Sequence, residues 1–129
     1  TAPADLVASL TAANERLTLL TGVSTRIVSN DTGCVKLTQA QRDALIGAGY
    51  RLWDSTFDSG DATQSAARAY ATTAQNFVST TATVVVRLHH SASTAQTVRS
   101  LSAYMSRQGI PSSRVILSAT PINSTSDTR

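Results

Sequence analysis

The stretch that decides the fold is TATVVVRLHHSASTAQTVRSLSAYMSRQGIPSSRVILSAT, residues 81–120. It opens with a run of β-branched residues, continues with a segment of helical composition and closes with a second apolar run, RVILSAT. Gly109 and Pro111 mark the end of the helix, because glycine adopts the left-handed backbone that stops a helix and proline cannot continue it. A strand, a helix and a strand with short joints form a βαβ unit, so the two strands are predicted to be parallel.

The N-terminal segment, residues 1–22, is predicted to form an amphipathic helix. One stripe of this helix is formed by Leu6, Leu10, Ala13, Leu17 and Leu20, which recur at helical spacing. This stripe fits two roles, a contact with the protein's own core or a docking surface for a partner. We expect it to pack mostly on the domain's own sheet and to leave its flank for a partner.

The middle of the chain contains turn signals and helix starts. STRIVS and CVKL flank NDTG, a pattern typical of a hairpin. Thr38 and Gln41 form a capping-box pattern that predicts a helix to about Trp53, and Asp61 with Gln64 repeats it before a helix to about Val78.

Together these segments predict an α/β fold. We expect a two-layer α/β sandwich with a small mixed sheet of three to four strands, a C-terminal βαβ unit and helices mainly on one face. The expected domain organisation is a single domain over residues 1–122 and a polar, flexible tail over 123–129.

Composition limits the function classes. The 129 residues are 41% hydrophobic and 15% charged with a net charge of +3, and the arginines are scattered, which argues against a nucleic-acid partner. No apolar run reaches the length of about 18 residues that a membrane span needs. Cys34 is the only cysteine, so an internal disulfide is excluded, and a small buried hydrophobe is the favoured role over a catalytic thiol.

Metal and catalytic sites are not expected. Strand alternation sends His89 and His90 to opposite faces, so they are poorly placed to bind one ion together. The aspartates at 54, 58 and 61 lack the spacing of a calcium loop, and Asp61 is assigned to the helix cap. No nucleophile elbow or phosphate loop is present, so we predict no catalytic residue, no metal and no cofactor.

Residues 84–120 resemble the C-terminal part of OmpA-like periplasmic domains. The match is carried by His89 at the turn after the strand and by Tyr104-Met105, Gly109-Ile110-Pro111 and Arg114-Val115. In that family an aspartate after the turn and an arginine on the helix bind the diaminopimelate of peptidoglycan. Ser91 and Thr97 stand at those two positions, so the resemblance implies that the charge pair for this ligand is lost.

LTQAQR, residues 37–42, is similar to a helix start in CpaD-like accessory lipoproteins of pili. The two resemblances imply a non-enzymatic component of the bacterial cell envelope, periplasmic or held at the outer membrane through a removed N-terminal segment. It would act through contacts with other pilus, secretion or conjugation proteins. The candidate binding residues are Leu6, Leu10, Leu17, His89, His90, Ser91 and Thr97. The alternatives are a divergent peptidoglycan-binding module, which the lost charge pair disfavours, and a small hydrolase with an unrecognised site.

Overall fold

The computed structural model describes residues 1–30, 32–113 and 118–129. They divide into two compact units, one formed by Thr1–Asp54 with the described part of Val115–Arg129 and the other by the described part of Ser55–Arg114. Within these residues lie four α-helices and four short strands, α1 (Pro3–Thr21), β1 (Ile27–Val28), α2 (Gln39–Gly47), β2 (Arg51–Leu52), β3 (Phe57–Asp58), α3 (Ala66–Ser79), β4 (Val86–Arg87) and α4 (Thr94–Gln108).

The first unit packs α1 and α2 beside a two-stranded parallel sheet of β1 and β2. Ile27 pairs with Arg51 and Val28 with Leu52. The core consists of four buried side chains, Cys34, Leu45, Tyr50 and Leu52.

The leucine stripe of α1 divides between core and solvent. Leu6 and Leu10 are partly buried and pack against the core, whereas Leu17 is 50% exposed and Leu20 is 83% exposed. The helix ends where the sequence indicates, because Gly22 adopts a left-handed φ of 71°. Whether any of these leucines binds a partner stays a prediction.

Other local predictions for the first unit had mixed outcomes. Thr38 and Gln41 form the predicted capping box, since Gln41 N donates to Thr38 Oγ1 at 3.2 Å and Thr38 N donates to Gln41 Oε1 at 2.9 Å. The predicted hairpin is wrong, because Cys34–Lys36 is a short 3₁₀ helix and β1 pairs with β2 instead. The helix predicted to reach Trp53 ends at Gly47, and the chain then enters β2.

The second unit alternates strand and helix, in the order β3, α3, β4, α4. β3 and β4 are parallel, with Phe57 opposite Val86 and Asp58 opposite Arg87. A parallel pair needs a crossover, and α3 supplies it. The two helices bury small and branched side chains, Ala69, Thr73, Ala74, Thr97 and Leu101.

The start of α3 differs from the predicted cap, and α4 begins without a side-chain cap. Ser65, not Asp61, caps α3 by accepting a hydrogen bond from Arg68 N at 3.3 Å. Ser93 occupies the cap position of α4, but its hydroxyl donates to the carbonyl of Gln64 at 2.9 Å and does not cap the helix. Gly109 ends α4 with a left-handed φ of 66°, as the sequence indicates.

The predicted α/β class is confirmed, in a form where helices dominate and the described strands lie in two separate parallel pairs. The predicted second strand of the βαβ unit begins with residues 114–117, which lie outside the described residues. The single domain over residues 1–122 stays a prediction. Residues 123–129 include Asn123, whose Nδ2 donates to the carbonyl of Leu52 at 2.9 Å. No helix in the described part of the chain is long and apolar enough to cross a membrane.

Candidate active site

The pairing of β3 with β4 brings two distant segments of the second unit together. Thr56 N donates to the carbonyl of Val85 at 2.8 Å and Ser59 N to that of Arg87 at 3.2 Å. Two residues after β4, His89 N donates to the carboxylate of Asp61 at 3.0 Å. The carboxylate of Asp61 therefore accepts a hydrogen bond from the amide of His89 at the position where the backbone hydrogen bonds between β3 and β4 stop.

The turn after β3 holds Asp58 by its own backbone. Asp58 Oδ1 accepts a hydrogen bond from Gly60 N at 2.8 Å, which closes an Asx turn. Gly60 has a φ of +75°, and a Cβ at this position would lie 3.0 Å from the side chain of Gln64. Glycine is favoured here by the left-handed backbone, and a larger residue would also have to displace the end of the Gln64 side chain.

Asp61 is almost completely buried, at 1% exposure, and its carboxylate accepts from four donors. Oδ1 accepts from the hydroxyl of Ser59 at 3.0 Å and faces Nδ1 of His89 at 2.8 Å. Oδ2 accepts from the hydroxyl of Thr94 at 2.5 Å, and the amide of His89 lies within reach of both oxygens. A carboxylate has about four lone-pair sites, so these donors fill its capacity.

These donors keep Asp61 charged. Burial alone would raise the pKa of Asp61, but the hydrogen bonds from Thr94, His89 and Ser59 outweigh it and hold the pKa well below its usual range. The second unit therefore contains a buried anion, which is stable only with its donors in place.

His89 lies between two carboxylates. Its Nδ1 contacts Asp61, and its Nε2 lies 3.9 Å from Oδ2 of Asp58, too far for a direct hydrogen bond. The side chains become more exposed from one end of this row to the other, from 0% for Asp61 through 30% for His89 to 54% for Asp58. The gap between His89 and Asp58 thus lies at the accessible end of the cluster.

An open groove of about 670 Å³ borders this cluster, lined by Leu88, His89, His90, Ser91, Ala92, Thr94 and Ala95. Ser91 fixes the wall, because its hydroxyl donates to the carbonyl of Asp61 at 2.8 Å. His90 is exposed in the same wall. Thr97 is completely buried and its hydroxyl donates to the carbonyl of Ser93 at 2.8 Å, so it is not accessible to a ligand from the groove.

Asp58, Asp61 and His89 also form a candidate metal site, since one ligand atom from each lies within 4.8 Å of the others. Carboxylate and imidazole are ligands that zinc and related divalent ions accept. Because the oxygens of Asp61 already accept four donors, the direct ligands would be Oδ2 of Asp58 and Nε2 of His89. Their separation of 3.9 Å is close to the value of about 3.4 Å between two ligands of a tetrahedral ion.

Sequence reasoning named His89, His90 and Ser91 but missed both aspartates of the cluster. Asp61 was assigned to a helix cap because Asp61 and Gln64 have capping-box spacing. The strand-end position of His89 was noted, but its partner lies 28 residues away and is brought close only by the strand pairing. The signal that could have found the site is the carboxylate-rich turn FDSGD, residues 57–61, after one parallel strand and a histidine after the next.

The fold is similar to that of a solved enzyme, the polysaccharide deacetylase Bc1974 from Bacillus cereus. The two structures superpose with a TM-score of 0.78 at 20% sequence identity, over 96% of this chain and 64% of that chain. No family model and no curated protein sequence matches this chain. At this identity the likeness establishes the fold.

This comparison corrects the predictions drawn from resemblance. The OmpA-like and CpaD-like assignments are wrong, because the fold over nearly the whole chain is that of a polysaccharide deacetylase. The predicted non-enzymatic envelope component, with its pilus, secretion and lipoprotein associations, and the peptidoglycan-binding alternative are wrong for the same reason. The prediction that the chain is not an enzyme is overturned by this fold together with the Asp58, Asp61 and His89 cluster.

Proposed function

We propose that this chain is a hydrolase that removes acetyl groups from a polysaccharide. The fold likeness to a polysaccharide deacetylase supports the reaction class, and the third sequence-based alternative, a small hydrolase, points in the same direction. Since the chain corresponds to 64% of that enzyme's length, its substrate and activity are part of the proposal.

The observation that carries the proposal is the arrangement of His89 between a buried and an exposed carboxylate. Asp61 contacts one ring nitrogen at 2.8 Å, while the other nitrogen lies 3.9 Å from the half-exposed Asp58. His89 also lines the groove. A histidine with one nitrogen in a buried hydrogen bond and the other accessible is suited to accept and return a proton.

The reaction is the addition of water to the acetyl carbonyl carbon. His89 accepts a proton from this water at Nε2 as the new C–O bond forms. The bond between the carbonyl carbon and the sugar's nitrogen or oxygen then breaks, and a proton is returned to that leaving atom. The products are acetate and a free amine or hydroxyl on the sugar. Asp58, across the gap, accepts a hydrogen bond from the same water and orients it.

A divalent cation is compatible with this centre. Oδ2 of Asp58 and Nε2 of His89 would hold it, and a bound cation would polarise the acetyl carbonyl as a Lewis acid. Because Nε2 would then have no free lone pair, a bound cation would replace the proton transfer at His89 and would not accompany it. Two protein ligands are fewer than the three found in most catalytic zinc sites. We therefore expect weak binding that requires added metal in the assay, and this replaces the sequence-based expectation that no metal binds.

The experiment measures acetate release from N-acetylated chitin oligosaccharides and from O-acetylated xylan, with chelator and with added Zn²⁺, Co²⁺ or Mn²⁺. His89→Ala and Asp58→Asn should each lower kcat/KM by about 100-fold or more, the usual contribution of an acid–base group. Asp5→Asn is the matched control, because Asp5 is an exposed carboxylate in the first turn of α1. Absence of acetate release from both substrates under all metal conditions, or full activity of His89→Ala, would refute the proposal.

Three earlier expectations stay predictions beside this proposal. They are the sandwich architecture with a C-terminal βαβ unit, the periplasmic location and the absence of a nucleic-acid partner.

A further inference from the structure

Asp61 differs from Asp58 in a way that gives the two carboxylates different roles. Asp61 is buried and accepts from four donors, whereas Asp58 is 54% exposed and its Oδ2 faces the gap. A carboxylate whose lone pairs are filled cannot bind a substrate or a cation directly unless a donor leaves it. Its influence on the reaction must pass through the groups that it already contacts.

The contact that matters is the one with His89. A neutral imidazole has one N–H and one unprotonated nitrogen, and the hydrogen bond made by one nitrogen decides the state of the other. Asp61 Oδ1 lies 2.8 Å from Nδ1, and a charged carboxylate can only accept. The hydrogen of the neutral ring is therefore held on Nδ1, which leaves a lone pair on Nε2.

We infer that Asp61 is the positioning residue of this site, and that it fixes His89 as the Nδ1–H tautomer with its Nε2 lone pair toward Asp58 and the groove. This inference deepens the proposed function, which supplies the role of that lone pair, but the tautomer itself follows from contacts within the second unit. Ser59 and Thr94 support it, because their hydroxyls hold the carboxylate in the orientation that His89 needs.

The backbone adds a second constraint on the ring. The amide of His89 donates to the same carboxylate that contacts its Nδ1, so Asp61 binds both the main chain and the side chain of one residue. This double contact fixes the position of the Cα atom and the direction of the ring together. Replacement of Asp61 removes both contacts at once. It should therefore change the orientation of the His89 ring more than the loss of the Nδ1 hydrogen bond alone would.

The test is ¹⁵N–¹H correlation of the imidazole rings in metal-free protein, recorded over a pH series so that the spectra themselves identify the pH at which each ring is neutral. His90→Ala assigns the two sets of ring signals, and the exposed His90 serves as the internal comparison. We expect His89 to show protonated Nδ1 and unprotonated Nε2. Protonation of Nε2 in the wild-type protein would overturn the inference without any variant.

Asp61→Asn sharpens the test. We expect it to convert His89 to a mixture of tautomers and, where the wild type releases acetate, to lower kcat by about 10- to 100-fold, the usual effect of losing such a partner, with little change in KM. Thr94→Val removes one support but keeps the contact with His89, so it should retain the wild-type tautomer if Asp61→Asn fails to fold. A pure Nδ1–H tautomer in folded Asp61→Asn would contradict the assignment. If the wild type releases no acetate, the proposed function fails while the ring signals still decide this inference.

Discussion

Each compact unit contains a buried aspartate that accepts hydrogen bonds from a distant segment. The two aspartates differ in the residues that donate to them. Asp54 follows β2 in the first unit, and its carboxylate accepts from Cys34 N at 3.0 Å and from the backbone and hydroxyl of Ser124, both at 2.8 Å. Asp61 follows β3 in the second unit and accepts from its four donors in a similar way. Both carboxylates satisfy buried polar groups near the end of a two-residue strand.

The partners make the difference. Those of Asp54 are the backbone amide of the buried Cys34 and the amide and hydroxyl of Ser124. Asp61 has a histidine among its partners, and the far nitrogen of that ring reaches the accessible end of the cluster. A buried aspartate that accepts hydrogen bonds from a distant segment thus has a structural role in the first unit and forms part of a candidate active site in the second.

The largest expected effect on stability comes from removal of either buried carboxylate. Asp54→Ala and Asp61→Ala each leave several buried donors without an acceptor, so each should lower the free energy of unfolding by about 2–5 kcal/mol. Urea denaturation measures this loss. In solutions where each variant is fully folded, only Asp61→Ala should lower acetate release. An equal loss of activity in folded Asp54→Ala would remove the distinction between the two clusters.

A smaller effect on stability is expected at alkaline pH from the thiol of Cys34, which lies beside Asp54. Burial, then the side-chain hydrogen bond with Asp54 and the charge of Asp54, raise the pKa of Cys34 to about 12. The unfolded chain loses this proton near pH 8.5 to 9 while the folded chain keeps it, so stability is complete below that range and declines as the pH rises toward 12.

The expected loss between pH 8 and pH 10 is about 1–2 kcal/mol from this group. Urea unfolding at the two pH values measures it, and Cys34→Ala is the comparison, since it should remove this part of the decline. A decline of unchanged size in Cys34→Ala would show that the thiol does not contribute to it.

The smallest effect concerns the hydroxyl groups that support each carboxylate. Ser59→Ala and Ser124→Ala each remove one hydroxyl donor from a buried aspartate, with an expected cost of about 1 kcal/mol. Thermal unfolding measures the shift. If loss of one hydroxyl lowered the stability as much as loss of the whole carboxylate, the hydroxyl donors, and not the donors from the distant segments, would account for most of the stability of each cluster.

Local features were accessible from the sequence, and distant contacts were not. The capping box of Thr38 and Gln41 lies within four residues, so its chemistry is visible in the sequence itself. The left-handed glycine at 109 is predictable for the same reason. Asp61 was assigned to the cap of α3 from local spacing alone, but Ser65 caps this helix and Asp61 contacts His89.

The candidate site required the strand register. Reasoning from alternation placed His89 and His90 on opposite faces without a partner for either, whereas the structure joins His89 to Asp61 across 28 residues and leaves His90 exposed. The hairpin predicted around residues 30–33 failed similarly, since β1 takes a partner 24 residues along the chain. Which strands pair depends on the packing of α2 and α3, and periodicity along the chain contains no information on it.

The carboxylate of Asp61 accepts a hydrogen bond just beyond the paired strands β3 and β4, and this limits which substitutions the chain tolerates. A backbone hydrogen bond survives most substitutions, but one that ends on a carboxylate depends on the residue type. Loss of Asp61 leaves the amide and ring of His89 without their acceptor, and loss of His89 leaves a buried anion with fewer donors. We therefore expect positions 61 and 89 to change together among natural variants of this chain, whereas Asp58, half exposed and held by its own turn, can change alone.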